Sequence, residues 1–156
     1  MATEIERKFL LKDSSWKKYA DEGTHYCQGY LVGSEHASVR VRIQGKHAFL
    51  NIKSATLDIT RQEFEYEIPL SEASEMLETL CEQPLIDKTR YFIETEKHEW
   101  EIDVFSGDNE GLKVAEIELS NKDEEFDKPD WLGDEVSDDP RYYNVCLVKH
   151  PFKDWS

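Results

Sequence analysis

From Thr3 to Ser120 apolar and polar residues alternate almost one by one, broken by a single stretch of helical spacing. A period of two belongs to extended strands, whose successive side chains leave on opposite faces. It predicts eight strands: TEIERKFLL (3–11), THYCQGYLV (24–32), ASVRVRIQ (37–44), HAFLNIKS (47–54), TRQEFEYEI (60–68), IDKTRYFIET (86–95), HEWEIDVFS (98–106) and LKVAEIELS (112–120). The connectors GSEH, GK, ATLD, EK and SGDNEG are short and polar, which favours antiparallel hairpins. SEASEMLETL (71–80) switches to helical spacing, with Ala73, Met76, Leu77 and Leu80 on one stripe. Ser71 offers an N-cap there, and Glu72 and Glu75 suit the positive end of the helix dipole. A last helix is expected in DDPRYYNVCLV, with Asp139 as N-cap and Pro140 at the first helical position. The acidic NKDEEFDKPDW reads as a turn or short helix leading into a loop. Eight strands with two or three helices imply a mainly β (α+β) domain, an antiparallel barrel or strongly curved sheet.

The polar faces are not randomly charged. The first strand presents Glu4, Glu6 and Lys8, the third Arg40 and Arg42, the fourth Asn51 and Lys53, and the fifth Arg61, Glu63, Glu65 and Glu67. The sixth adds Lys88 and Arg90, the seventh Glu101 and Asp103, the eighth Glu116 and Glu118. The opposite faces are mostly apolar, as in Val39-Val41-Ile43 and Ala115-Ile117-Leu119. In a half-solvated sheet the charges face water. In a closed barrel they either face outward around an apolar core or inward around a charged channel, and alternation does not distinguish the two. Sorting of sign by strand favours the inward arrangement, because like charges two apart on one face repel unless something bridges them. Paired carboxylates suit hard cations, and Arg/Lys pairs suit phosphate oxygens.

At 156 residues the chain is long enough for one domain with a real core, spanning 1–156. A net charge of −15 repels nucleic acid and anionic membranes, so neither a nucleic-acid duplex nor a bilayer is an expected partner. Any anion it binds must meet a locally basic site. Cys27, Cys81 and Cys146 are odd in number and far apart, which argues for reduced thiols rather than a disulfide framework or zinc site. Charged residues at the N-terminus and the lack of a long apolar run lead us to expect a soluble cytoplasmic protein. The five histidines lack ligand spacing, and the four tryptophans read as core or cover.

Glu4-Ile-Glu-Arg-Lys8 resembles the ExExK signature of the CYTH superfamily, the triphosphate tunnel metalloenzymes. The likeness continues in order through QGYL (28–31), VRVR (39–42), NIKS (51–54), RQEFEYEI (61–68), KTRY (88–91), EIDVF (101–105), AEIEL (115–119) and RYYN (141–144). It implies an eight-stranded antiparallel barrel enclosing a charged tunnel, so that Glu4, Glu6 and Lys8 point inward. It further implies that Lys8, Arg40, Arg42, Lys53, Lys88 and Arg90 grip a triphosphate. Glu4, Glu6, Asp103, Glu116 and Glu118 would hold Mg2+ or Mn2+, with two ions present during turnover. Glu63 and Glu65 match tunnel positions, as metal ligands or as partners of the basic side chains. Arg61 binds phosphate or forms a structural ion pair, and Arg141 reaches the tunnel mouth or caps the last helix. Lys8, Tyr30 and Lys53 are the catalytic candidates. The Tyr30–Lys53 pair rests on the idea that a lysine among cations has a lowered pKa, with wall packing as the other reading of Tyr30. The order of motifs looks like that of short bacterial inorganic triphosphatases. Class IV adenylate cyclase, other organic triphosphate hydrolysis and noncatalytic polyphosphate or nucleotide binding are the alternatives. Oligomeric state is not legible in the sequence.

Overall fold

The structure, a computed structural model, describes residues 3–33, 36–55 and 59–155. Residues 34–35 of the predicted GSEH connector and 56–58 of ATLD lie outside the described residues. All eight predicted strands form: β1 (Thr3–Leu11), β2 (Thr24–Gly33), β3 (Ala37–Gln44), β4 (His47–Ser54), β5 (Thr60–Ile68), β6 (Ile86–Glu94), β7 (Glu99–Phe105) and β8 (Lys113–Glu118). Their antiparallel order is β5-β4-β3-β2-β6-β7-β8-β1, and a β5–β1 pairing closes the barrel. That closing seam is short: Thr3 faces Gln62, Glu4 faces Arg61 and Ile5 faces Thr60.

A ninth strand, β9 (Leu132–Glu135), is one the sequence reading missed. It lies beside the C-terminal half of β1, with Leu132 opposite Leu11 and Glu135 opposite Phe9. Gly133 permits this approach, since a Cβ there would lie 2.9 Å from the Leu10 carbonyl oxygen. The preceding acidic segment is turn and coil rather than helix.

The helices also depart from expectation in detail. α1 (Leu70–Thr79) begins ahead of Ser71, the expected N-cap, and is capped by Pro69, in extended conformation, without a side-chain cap. Ser71 therefore sits inside the first turn. The predicted last helix is two pieces, a 3-10 turn Pro140–Tyr142 and α2 (Asn144–Lys149). Asp139 does cap the first, accepting from the Arg141 backbone N–H. The break falls at Tyr143, whose backbone is extended and whose hydroxyl donates to the Ser137 carbonyl.

The apolar faces of most strands turn outward and are covered there. Phe9, Trp100, Ile102, Ala115 and Ile117 pack with Trp16, Leu119, Trp131 and Leu132, a patchwork of edge-to-face aromatic contacts. α1 lies over β3 and β4, seating Ala73 and Leu77 on Val41 and Ala48. A third cluster is different. Ile86, Phe105 and Val114 share the inward strand faces of Lys88, Asp103 and Glu116, and they pack against Leu147 and Val148 of α2. The interior is thus charged over most of its length and filled with apolar side chains at one end, where α2 enters.

Candidate active site in the barrel interior

Fourteen of the sixteen residues considered for the site line one cavity: Glu4, Glu6, Lys8, Tyr30, Arg40, Arg42, Lys53, Arg61, Glu63, Glu65, Lys88, Arg90, Glu116 and Glu118. The charged strand faces therefore point inward. Strand register explains how the signs meet: basic β4, β3 and β6 share one side of the wall, acidic β7, β8 and β5 the other, and β1 carries both signs. Lys8 stands opposite Glu116, which stands opposite Glu101. Lys53 stands opposite Glu63, and Arg40 opposite Asn51. Many cations thereby find a carboxylate on a neighbouring strand.

The contacts are close and largely buried. Lys8 Nζ lies 2.5 Å from Glu116 Oε1 and 3.9 Å from Glu6. Lys53 Nζ lies 2.8 Å from Glu4, 3.7 Å from Glu63 and 4.0 Å from Glu6. Arg61 reaches Glu4 at 3.4 Å and Glu6 at 3.5 Å, while Arg42 reaches Glu65 at 3.2 Å. Asn51 Nδ2 donates to Glu63 and Glu65. Arg40 has no carboxylate partner among the described residues, and the buried Nε of Arg40 and of Arg42 has no acceptor.

Two crowds of like charge emerge. Burial, then Arg40 and Arg90, push the Arg42 guanidinium down to about 10. Burial, then Glu4, Glu6 and Glu63, raise the Glu118 carboxyl above the usual carboxylate range. Between them the ion pairs dominate. Burial would raise Glu6, but Lys53 and Lys8 outweigh it and hold it at about 2. Burial would lower Lys8, but Glu116 and Glu6 outweigh it and hold its ammonium above the ordinary lysine value. Glu101 faces the same cavity, and burial carries it up to about 7 against the pull of Arg90.

Two expected residues do not line the cavity. Asp103, 1% exposed, stands behind the wall and accepts from Arg90 Nε (2.8 Å) and Nη2 (2.9 Å) and from Lys88 Nζ (2.9 Å). Both of its oxygens are committed to cations, so it acts as their strut. Arg141 is on the surface, gripped by Asp139 at 2.7 Å and stacked on Trp155. The extended backbone at Tyr143 turns the chain between them. Tyr143, not Arg141, enters the cavity, its ring 5.3 Å from both Lys8 Nζ and the Arg61 guanidinium carbon.

The setting of the Tyr30–Lys53 pair differs from the one expected. Lys53 sits among carboxylates rather than cations, and the lysine brought down is Lys88, to about 7, by burial that outweighs Asp103. Tyr30 both lines the cavity and packs against the α2 end of the interior. Arg61 lines the cavity and pairs with Glu4 and Glu6, which joins its two readings. Asn144, Ser38 and Val145 complete the lining without having been singled out as site residues. Hydrophobic patterning gives no signal for a polar residue at the start of a helix that faces a barrel interior.

The donor set suits a divalent cation. Glu4, Glu6, Glu116 and Glu118 offer only oxygen ligands, as Mg2+ and Mn2+ prefer. As they stand, no three acidic, imidazole or thiol groups among the described residues converge on one point, because Lys8, Lys53 and Arg61 occupy the positions between them. The crowd that raises Glu118 is what an added cation relieves.

A closed antiparallel barrel with an acidic and a basic sector facing one interior cavity defines a tunnel-type barrel. The chain belongs to the CYTH family, whose domain matches residues 2–143. It is 48% identical over 155 residues to the inorganic triphosphatase of Acetivibrio thermocellus, covering 99% of both chains. It is 36% identical over 153 residues to the inorganic triphosphatase of Nitrosomonas europaea, covering 94% of this chain and 97% of that one. A crystal structure of the inorganic triphosphatase NE1496 superposes with a TM-score of 0.66 at 34% identity, covering 95% of each chain.

Proposed function

We propose that this protein hydrolyses inorganic tripolyphosphate to diphosphate and phosphate, with Mg2+ or Mn2+ as cofactor. One observation carries the reading: a single cavity of about 180 Å³ holds both like-charge crowds, one of guanidinium groups and one of carboxylates. That volume is below the roughly 300–1,000 Å³ of sites that enclose drug-sized organic molecules. It favours a bare phosphate chain over a nucleotide, and the two triphosphatase relatives agree.

Arg40, Arg42, Lys88 and Arg90 would hold the phosphate oxygens, Arg40 and Arg42 through Nε donors now without acceptors. Glu4, Glu6, Glu116 and Glu118 would hold the metal, and Lys8, Lys53 and Arg61 would then be released toward the substrate. A bound divalent cation supplies charge neutralisation and a more acidic water at the reacting phosphorus. Lys53 and Lys8, exchanging the Glu4 and Glu116 carboxylates for phosphate oxygens, would steady the attacked phosphoryl group. Among the described residues no helix is long and apolar enough to cross a membrane, and the three cysteines are free thiols. The free thiols support placement in a reducing compartment, the cytoplasm.

Phosphate release from tripolyphosphate, ATP, thiamine triphosphate and diphosphate tests the assignment, with cyclic AMP assayed in parallel. Tripolyphosphate should exceed ATP in kcat/KM by at least about tenfold, roughly 1.4 kcal/mol of transition-state preference. Equal rates on ATP, or cyclic AMP as product, would move the reading to the cyclase. Tight binding with no phosphate released under any divalent metal would mark a binder.

A further inference from the structure

Lys88 is 1% exposed, and its ammonium has three N–H directions to satisfy. Asp103 Oδ2 takes one at 2.9 Å and Asn144 Oδ1 takes another at 3.0 Å. The third is left between the Phe105 ring, whose centre lies 5.5 Å from Nζ, and the cavity that Lys88 lines. The Asn144 oxygen is itself fixed from a second side, accepting from Gln28 Nε2 at 3.0 Å, and Gln28 is fully buried on β2. Asn144 opens α2, whose Leu147 and Val148 are buried against Ile86, two residues before Lys88 on β6. The amide oxygen is therefore held by a hydrogen bond, by helix packing and by the strand that carries the lysine.

From this geometry we infer that Asn144 is a positioning residue for the substrate, acting through Lys88: its side-chain oxygen aims the remaining Lys88 N–H at a phosphate oxygen. The inference rests on the triphosphate reading of the cavity. Asp103 alone leaves the ammonium free to rotate about one contact, and a donor that must be reoriented on binding weakens capture more than turnover. α2 thus contributes to substrate affinity without a charge of its own in the cavity.

The test is a double-mutant cycle on tripolyphosphate hydrolysis. Asn144→Ala should raise KM about tenfold, the loss expected for a hydrogen bond to a charged group, while kcat stays within about threefold. In a Lys88→Ala background the same change should move KM by less than about twofold, because the group it positions is gone. Gln28→Leu should raise KM by a smaller factor, since the Lys88–Asn144 bond survives it. Equal effects of Asn144→Ala in both backgrounds, or an unchanged KM with Lys88 intact, overturn the inference.

A second readout needs no turnover. In 15N-lysine-labelled protein in mildly acidic buffer, Lys88 should give a slowly exchanging ammonium signal that Lys88→Ala removes and Asn144→Ala broadens. A signal indifferent to Asn144→Ala overturns the positioning. A signal that responds, in a protein that releases no phosphate, keeps the positioning and overturns the proposed activity instead.

Discussion

Replacing Asp103 by asparagine tests whether a buried carboxylate here is a strut for cations or a ligand for metal. The substitution preserves shape and removes one negative charge from between Arg90 and Lys88, both 2.8–2.9 Å away. Removing one partner of a buried ion pair destabilises by roughly 3–5 kcal/mol, because the remaining charge is left uncompensated. For a chain of this size that is a fall in Tm of roughly 6–20 °C. The acidity of the carboxyl gives a second figure. Burial would raise the Asp103 carboxyl, but Arg90 and Lys88 outweigh it and bring it from 3.8 to about 2. A depressed carboxylate contributes stability above its unfolded pKa and loses it as the pH falls through the folded one. The contribution, about 2 kcal/mol, is therefore complete above pH 3.8 and fades toward about pH 2. Urea unfolding of wild type and Asp103→Asn across that range should show the gap between them closing as the pH falls. Tripolyphosphate KM should rise, since Lys88 and Arg90 lose their common anchor, with the metal requirement unchanged. An unaltered urea midpoint at neutral pH would refute the strut. A variant of full stability that needed far more magnesium would make Asp103 a ligand.

Excess chelator should abolish tripolyphosphate hydrolysis, and magnesium or manganese should restore it, with calcium a poor substitute because of its looser geometry; turnover in chelator would exclude the metal-dependent reading. Glu116→Gln should raise the metal concentration for half-maximal activity, whereas Arg42→Ala should mainly raise KM, and wild-type kinetics in both would detach the cavity from the chemistry. Lys53→Ala should remove most turnover while calorimetry still detects tripolyphosphate binding; unchanged kcat would leave Lys53 as a partner of Glu4 alone.

The eight barrel strands and the identity of their charged faces were legible because a period of two is a strong local signal. Alternation alone is symmetric between the two faces; sorting of sign by strand and the family resemblance pointed the charges inward, and the closure of β5 on β1 and the cover over Val41 and Ile117 bear that out. β9 escaped because four residues with a glycine and two acids carry too little pattern, and β1, not its own sequence, makes it a strand. Asp103 had the right face and the wrong depth: its pairing with Arg90 and Lys88 draws it behind the cavity wall. Arg141 and Asn144 reversed their expected prominence because the chain breaks at Tyr143, where side-chain contacts far away in sequence override helical propensity.

Because neighbouring residues of one strand serve opposite purposes, the barrel tolerates two kinds of mutation very differently. A substitution such as Lys for Arg on the inward face changes chemistry and leaves the outer packing of Phe9, Ile102 or Ile117 untouched. Inserting one residue into the middle of a strand exchanges the faces beyond it, driving apolar side chains into the cavity and charges under Trp100 and Trp131. Variation in these strands should therefore run through replacement at fixed length, with gains and losses of residues confined to the turns. The same arrangement that makes the chain brittle to slippage leaves its interior free to be rewritten one position at a time.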